Sequence, residues 1–198
     1  MRDTFISPWR TPWSEVLDRP ALAAQRLARR SPLMTLAAAG ASVVALAILM
    51  RMSELLLASP LVVVRPSLLP IGLMAFLEAA GLAGATFLVL STWLRTEAAP
   101  GLVVAASAVG LQTAATVVCC FVPMVALVVF SSTSEPFPPT VSSVLGVIAT
   151  VSYGTVISRV VRTVDGSAQT NALVGLHSFL LLTVFAVRCF FHTDFIWN

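Results

Sequence analysis

The stretch GLVVAASAVGLQTAATVVCCFVPMVALVVFS, residues 101–131, contains no acidic or basic side chain. It is longer than the about 20 apolar residues that a helix needs to cross the hydrocarbon core of a bilayer. The whole 198-residue chain has the same character, with 58% hydrophobic residues, 11% charged residues and a mean hydropathy of +0.93. A soluble domain carries about 25% charged residues, so lipid is the predicted solvent for this chain.

Four further apolar stretches are long enough to cross a bilayer, at residues 33–50, 68–94, 141–158 and 170–187. Because an open strand would leave unpaired backbone groups in lipid, each stretch is predicted to be a helix. The fold class is therefore predicted to be all-α, a polytopic integral membrane bundle with five transmembrane helices. An interfacial segment, residues 1–32, precedes this transmembrane domain of residues 33–198.

The ends of the spans are predicted from charges and prolines. Pro123 removes a backbone donor inside the third span and predicts a kink there. The segment ELLLASPLVVV, residues 54–64, is too short to cross and is interrupted by Pro60. It is either an interfacial or loop helix or a broken extension of the first span. Four spans are expected to close at an arginine, namely Arg51, Arg95, Arg159 and Arg188.

The twelve basic residues are all arginine, and their distribution predicts the orientation. With the N terminus inside, nine of them lie on the inner side, while Arg51, Arg65 and Arg188 lie outside. This asymmetry satisfies the positive-inside rule and, with five spans, places the C terminus outside. No cleavable secretory signal is recognised. The arginine-rich start also resembles an organelle-targeting segment, so a bacterial cytoplasmic membrane and an organelle inner membrane, such as the mitochondrial one, both stay open.

The N-terminal segment has the composition of a membrane interface. Trp9 and Trp13 flank Arg10, and indole rings beside a guanidinium are typical of the headgroup layer. Residues 20–30, PALAAQRLARR, predict a short helix whose arginines contact anionic lipid. The predicted headgroup contacts are Trp9, Arg10, Trp13, Arg26, Arg29 and Arg30. The equally weighted alternative is that this segment only determines the orientation of the chain in the membrane and has no lipid partner.

Three polar residues within the apolar spans are candidates for function, because polar groups in hydrocarbon are costly. Helical rise places Glu78 about 15 Å below the outer start of its span. It places Gln112 about 16 Å above the inner start of its span, and His177 about 10 Å above the inner start of its own. All three are therefore expected near the midplane. A carboxylate and an imidazole together would suit a proton or ion site. Helix-to-helix bonding without further function is the more ordinary interpretation.

Small residues four apart predict faces where helices approach closely. Such faces serve packing inside the bundle as well as packing against another chain. Tyr153 is the only tyrosine, and its hydroxyl needs a partner if it is buried. The predicted packing pairs are Ala37 with Ala41, Ala80 with Gly84, and Ala106 with Gly110.

No catalytic, metal or cofactor motif is recognised. Cys119, Cys120 and Cys189 are interpreted as small apolar residues of helices, without a disulfide framework or a metal site. The sequence has no phosphate-binding loop and no serine elbow. Nucleic-acid binding is not expected, because the arginines cluster at membrane edges. The prediction is a non-enzyme without cofactors.

The N-terminal pattern Pro8-Trp9-x-x-x-Trp13, followed by Pro20 and Pro32, resembles the start of bacterial Yip-domain proteins, relatives of the Ypt-interacting proteins. The stretches VVCCFVPMVALVVF (117–130) and SRVVRTVDGSAQTNALVG (158–175) are similar to the third span and the last inner loop of that family. The resemblance implies five spans, a cytosolic N terminus and a protein that organises other membrane components. Pro20 lies farther from Trp13 than the family pattern has it, and residues 95–100 lack the family's glycines.

The leading functional hypothesis is a non-enzymatic scaffold or accessory subunit of a larger membrane assembly. Its expected partners are membrane lipids with anionic headgroups on the inner side and other membrane subunits. One alternative is a small transporter or lipid-handling protein that uses Glu78, Gln112 and His177. Another is an accessory subunit of a respiratory or photosynthetic complex.

Overall fold

The computed structural model describes the backbone of residues 16–57, 70–96, 99–131 and 138–197. The side chains of residues 126, 128–130, 138–140 and 192–197 are outside this description. Within the described ranges every regular element is a helix. The helices are α1 (Pro20–Ala28), α2 (Pro32–Leu57), α3 (Ile71–Trp93), α4 (Pro100–Ser131), α5 (Pro138–Val164) and α6 (Ala168–Trp197).

Five of these helices, α2 to α6, are long and apolar enough to cross a membrane. The prediction of an all-helical protein with five candidate spans is therefore confirmed. The short helix α1 begins at Pro20, at the position predicted from the sequence. Its proline costs little there, since the first residues of a helix have no intrahelical partner for their N–H groups.

Three of the four arginines that were predicted to close spans lie inside helices instead, and one of them is Arg159, which α5 passes before it ends at Val164. Helix α2 continues past Arg51 to Leu57, and α6 continues past Arg188. Arg51 Nη1 donates to Glu54 Oε2 at 3.1 Å within α2, and Arg188 pairs with Glu78. A paired guanidinium does not need to leave the helix for water, which explains why the prediction was wrong at Arg51 and Arg188. Arg159 is exposed near the end of α5, where its side chain is accessible without a break in the helix. Residues 54–57 continue the helix of the first span, which agrees with the interpretation of segment 54–64 as an extension of that span. Residues 58–64 lie outside the described ranges.

Helix α4 is continuous from Pro100 to Ser131 and includes Pro123. Its first 26 residues, Pro100–Val125, form the candidate span. The predicted kink at Pro123 stays a prediction, but the proline does not end the helix.

Helices α4 and α5 pack along each other at the centre of the bundle. Helix α2 covers α4 on one side, while α3 and α6 pack together and against α5 on the other. Among the described helices, only α5 contacts each of the others, including α1. The largest fully buried side chains include Phe76, Leu73 and Leu145, which belong to α3 and α5. The contacts that α5 makes with its neighbours therefore define the sites described below.

A short turn connects α5 to α6 and fixes them as antiparallel neighbours. The Asp165 carboxylate accepts the Ser167 N–H at 2.9 Å and the Thr170 hydroxyl at 2.5 Å. Ser167 Oγ in turn accepts the Thr170 N–H at 3.2 Å and caps the start of α6. These bonds hold the end of α5 beside the start of α6.

Candidate functional site: polar contacts between the helices

Glu78 on α3 forms an ion pair with Arg188 on α6. Arg188 Nε donates to Glu78 Oε2, and Nη2 donates to Oε1 at 2.6 Å. The two parallel bonds make the bidentate geometry that a guanidinium and a carboxylate favour. Both side chains are partly exposed, Arg188 by 43% and Glu78 by 38%. The pair therefore joins α3 to α6 on the outside of the bundle and does not line an internal path.

The predicted cluster of Glu78 with His177 is not formed. Arg188, the partner of Glu78, lies eleven residues beyond His177 on α6, which is about 16 Å of helix. One water bridges only a few ångströms, so neither a direct bond nor a water-mediated bond joins the two. Helix α3 begins at Ile71 and not at residue 68, so Glu78 lies about 10 Å along the helix from its start, a shorter distance than the predicted one.

Gln112 does not join the two residues either. It lies on α4, which does not pack against α6, and it is half-buried. Its backbone oxygen accepts the Thr116 hydroxyl at 2.9 Å within the same helix. The three polar residues are therefore distributed over the bundle and do not form one site.

His177 is enclosed by aromatic rings. It is 2% exposed and contacts the edge of Phe87 on α3, with ring centroids 5.7 Å apart. The ring of Tyr153 on α5 lies 6.2 Å away, centroid to centroid. His177 Nδ1 is buried and has no hydrogen-bond partner within the described part of the chain. The imidazole fills the junction of α3, α5 and α6 as an aromatic ring.

Tyr153 connects the helices around α5. Its hydroxyl donates to Ser107 Oγ on α4 at 3.2 Å, which confirms that this buried hydroxyl needs a partner. Its ring meets Phe76 of α3 edge-on, with centroids 5.7 Å apart. On α4 the ring lies over Gly110, where an added Cβ would come within 2.8 Å of Tyr153 Cδ2. Gly110 is therefore the residue that lets α4 approach this ring.

The predicted packing pairs divide between the inside and the outside of the bundle. Ala106 and Gly110 are buried, and Gly84 faces the Tyr153 hydroxyl, with Ala80 packed at the edge of the core. These two pairs pack inside the bundle. Ala37 and Ala41 are instead exposed on α2. Gly40, which lies between them, is also exposed and has no neighbouring heavy atom within 4 Å of an added Cβ.

The glycine with the least space around it, Gly72, lies where α3 crosses α5. The Gly72 N–H donates to Ser142 Oγ at 2.9 Å, and both groups are buried. A Cβ on Gly146 would come within 2.8 Å of the Gly72 carbonyl oxygen. Gly72 and Ser142 were not among the packing residues predicted from the sequence. The spacing of Ser142 and Gly146, four residues apart on α5, was the signal that could have indicated this crossing.

The predicted headgroup residues are only partly described. Trp9, Arg10 and Trp13 lie outside the described residues. The other three, Arg26, Arg29 and Arg30, are exposed at the end of α1 and just after it. Helix α1 itself packs against α4 and α5 through the buried side chains of Pro20 and Ala24.

The three cysteines are free, with Cys119 and Cys120 exposed on α4 and Cys189 half-buried on α6. In the part of the chain that the structure describes, no three His, Cys, Asp or Glu residues are grouped in a way that could hold a metal ion.

These features define a class: a multi-pass, all-helical integral membrane protein whose intramembrane polar groups connect helices. Comparison of the chain with protein-family models, curated proteins and solved structures finds no match.

Proposed function

We propose that the protein is a non-enzymatic scaffold or accessory subunit of a larger membrane assembly, with a Yip-like organisation. The observation that carries this proposal is the outward face of α2, where Ala37, Gly40 and Ala41 are exposed side by side. Lipid tails are as apolar as leucine, so a helix in lipid gains most from close packing against another helix. A transmembrane helix of a different subunit is the occupant that fits this face.

The burial of α2 supports the same proposal. It is the least buried of the five candidate spans, and larger apolar side chains, including Val44 and Ile48, continue the exposed face beyond the small residues. A partner helix would approach the backbone at the small residues and pack against the larger ones. The separation of Glu78 from His177 removes the observation on which the transporter alternative depended. An accessory subunit of a respiratory or photosynthetic complex is one form of the proposed role.

Site-specific photo-crosslinking in native membranes tests this proposal. A photoreactive residue at Ala41 is expected to form an adduct with another membrane protein, and the same residue at Ala85, exposed on α3, is expected to form much less. Ala37→Leu should remove most of the Ala41 adduct, because a leucine keeps the two backbones apart. Adducts only with a second copy of the chain, or equal adducts from both positions, would contradict the proposal.

We further propose that the N terminus faces the cytosol or matrix and that the C terminus faces the opposite side. In support, Arg19 of the N-terminal segment and Arg159 and Arg162 of α5 line one cavity, so they lie at the same end of the bundle. The positive-inside rule assigns the inner side to that end.

Cysteine labelling checks this orientation in a variant whose native cysteines are replaced. Gly166→Cys lies in the exposed turn between α5 and α6, and Ser134→Cys precedes the first residue of α5 by four positions in the sequence. An impermeant maleimide should label position 134 in intact cells or mitoplasts, and position 166 only after permeabilisation. The reverse pattern would invert the orientation, and equal labelling would deny that α5 crosses the membrane.

A further inference from the structure

A cavity of about 650 Å³ lies between α1 and the end of α5. Three arginines line it: Arg19 just before α1, and Arg159 and Arg162 on α5. Among the described residues that line the cavity, Asp18 is the only acid, so these residues carry a surplus of positive charge. The ion pairs that the structure shows among the described residues, Arg51 with Glu54 and Arg188 with Glu78, do not involve these arginines.

A second space of about 390 Å³ runs between α5 and α6. Arg159 and Arg162 line this groove as well, so the groove and the cavity meet at these two residues. The groove extends along α5 from Thr150 to Arg162, about 18 Å of helix. It therefore leads from the charged end of α5 into the apolar part of the bundle.

The groove is largely apolar, although four hydroxyl-bearing residues line it, and the fourth, Ser158, lies beside Arg159 at the charged end. Thr150, Thr155 and Ser178 each donate to a carbonyl oxygen of their own helix, at 2.7 to 2.9 Å. Their donor hydrogens are therefore already used, and the groove presents methyl groups together with Leu181 and Leu182. Gly154 lies at its floor beside Leu181, where a Cβ would come within 3.0 Å of Leu181 Cδ2.

We propose that this composite site binds one anionic phospholipid. Arg159 and Arg162 bind the headgroup phosphate, and Arg19 contacts the same headgroup from α1. A guanidinium presents a planar fork of donors that matches phosphate oxygens. One acyl chain lies in the groove between α5 and α6. Because α1 forms one wall of the cavity, the bound lipid connects α1 to α5 and α6. This inference does not depend on which side of the membrane the N terminus faces.

Native mass spectrometry of the delipidated full-length protein tests the site. The probes are phosphatidylglycerol and phosphatidylcholine of the same acyl length, added to separate samples. Wild type is expected to prefer phosphatidylglycerol. Arg159→Gln with Arg162→Gln should weaken phosphatidylglycerol binding about 25-fold, since each arginine contributes about fivefold. Binding as tight as that of wild type would overturn the proposal.

Arg95→Gln is the matched control for the single variants Arg159→Gln and Arg162→Gln, because it removes one charge from an exposed residue that lies outside both spaces and outside the predicted headgroup contacts. An equal loss in this control would show general charge attraction and overturn the site. Thr155→Phe leaves the arginines intact and fills the groove from an exposed position. It should lower affinity for phosphatidylglycerol, and unchanged affinity would refute the acyl-chain part of the site. Displacement of the lipid by inorganic phosphate alone would reduce the site to a phosphate pocket, against the proposal.

Discussion

Gly72→Ala is expected to destabilise the protein more than any other glycine-to-alanine substitution in the bundle. The added Cβ would overlap the Ser142 carbonyl group of α5, which is backbone and cannot rotate away. Moving α3 outward would also break the buried hydrogen bond from the Gly72 N–H to Ser142 Oγ. Overpacking and a lost buried hydrogen bond each cost about 1 to 3 kcal/mol, so we expect a loss of about 3 kcal/mol.

Unfolding of the purified protein in mixed micelles, with increasing fractions of a denaturing detergent, measures this loss. Gly81→Ala is the matched control, because Gly81 lies on the same helix and an added Cβ there meets no atom within 4 Å. It should leave stability unchanged or raise it by up to about 1 kcal/mol, since alanine favours helix over glycine. Ser142→Ala should give an intermediate loss, because it removes the hydrogen bond without the overlap. Equal stability of the Gly72 and Gly81 variants would disprove the close contact.

Hydropathy predicted the spans because the solvent dictates length and composition, and these are properties of the sequence alone. It did not predict where the helices end. Arg51 finds an acid three residues away on its own helix, which local spacing could have indicated. Arg188 finds Glu78, which is 110 residues away, and no local pattern contains that information. Arg159 is exposed and also lies inside its helix, so an arginine by itself does not mark where a helix ends.

The candidate sites show what depth alone leaves undetermined. Helical rise gave each polar residue a height in the membrane, but contact also requires helices that are neighbours and faces that point toward each other. Tyr153 meets His177 because α5 packs against α6, whereas Gln112 lies on α4, which does not. Ala37 with Ala41 and Ala106 with Gly110 have the same spacing, yet the first pair is exposed and the second is buried. The spacing of small residues identifies a helix face that another helix can approach closely. Only the tertiary structure determines whether that face is covered by a helix of the same bundle.

Removing either member of the Glu78–Arg188 pair is expected to cause the other large loss of folded protein. The pair joins α3 to α6, and each single variant leaves a charge in the apolar region without its main counter-ion. We expect Arg188→Gln to be worse than Glu78→Gln. Arg188 lies three residues before Phe191, where the candidate span ends, and a long arginine side chain there reaches the interface. Glu78 is shorter and lies about 10 Å from the start of α3, so it has no such route.

Two double variants separate the structural role of this pair from a role in proton or ion transfer. Glu78→Gln with Arg188→Gln removes both charges and should be more stable than either single variant, because no isolated charge is left behind. Glu78→Arg with Arg188→Glu restores the attraction and should recover most of the folded yield. The measurements are the yield of monodisperse protein and its unfolding midpoint in mixed micelles. If Glu78 carried protons, its carboxylate would have to remain on α3, and the exchanged pair would not replace it. The exchanged pair is therefore expected to restore the fold and to leave crosslinking from Ala41 unaltered only if the contact between Glu78 and Arg188 is structural. If the exchange fails while Glu78→Gln alone is fully stable, the pair does not hold α3 and α6 together.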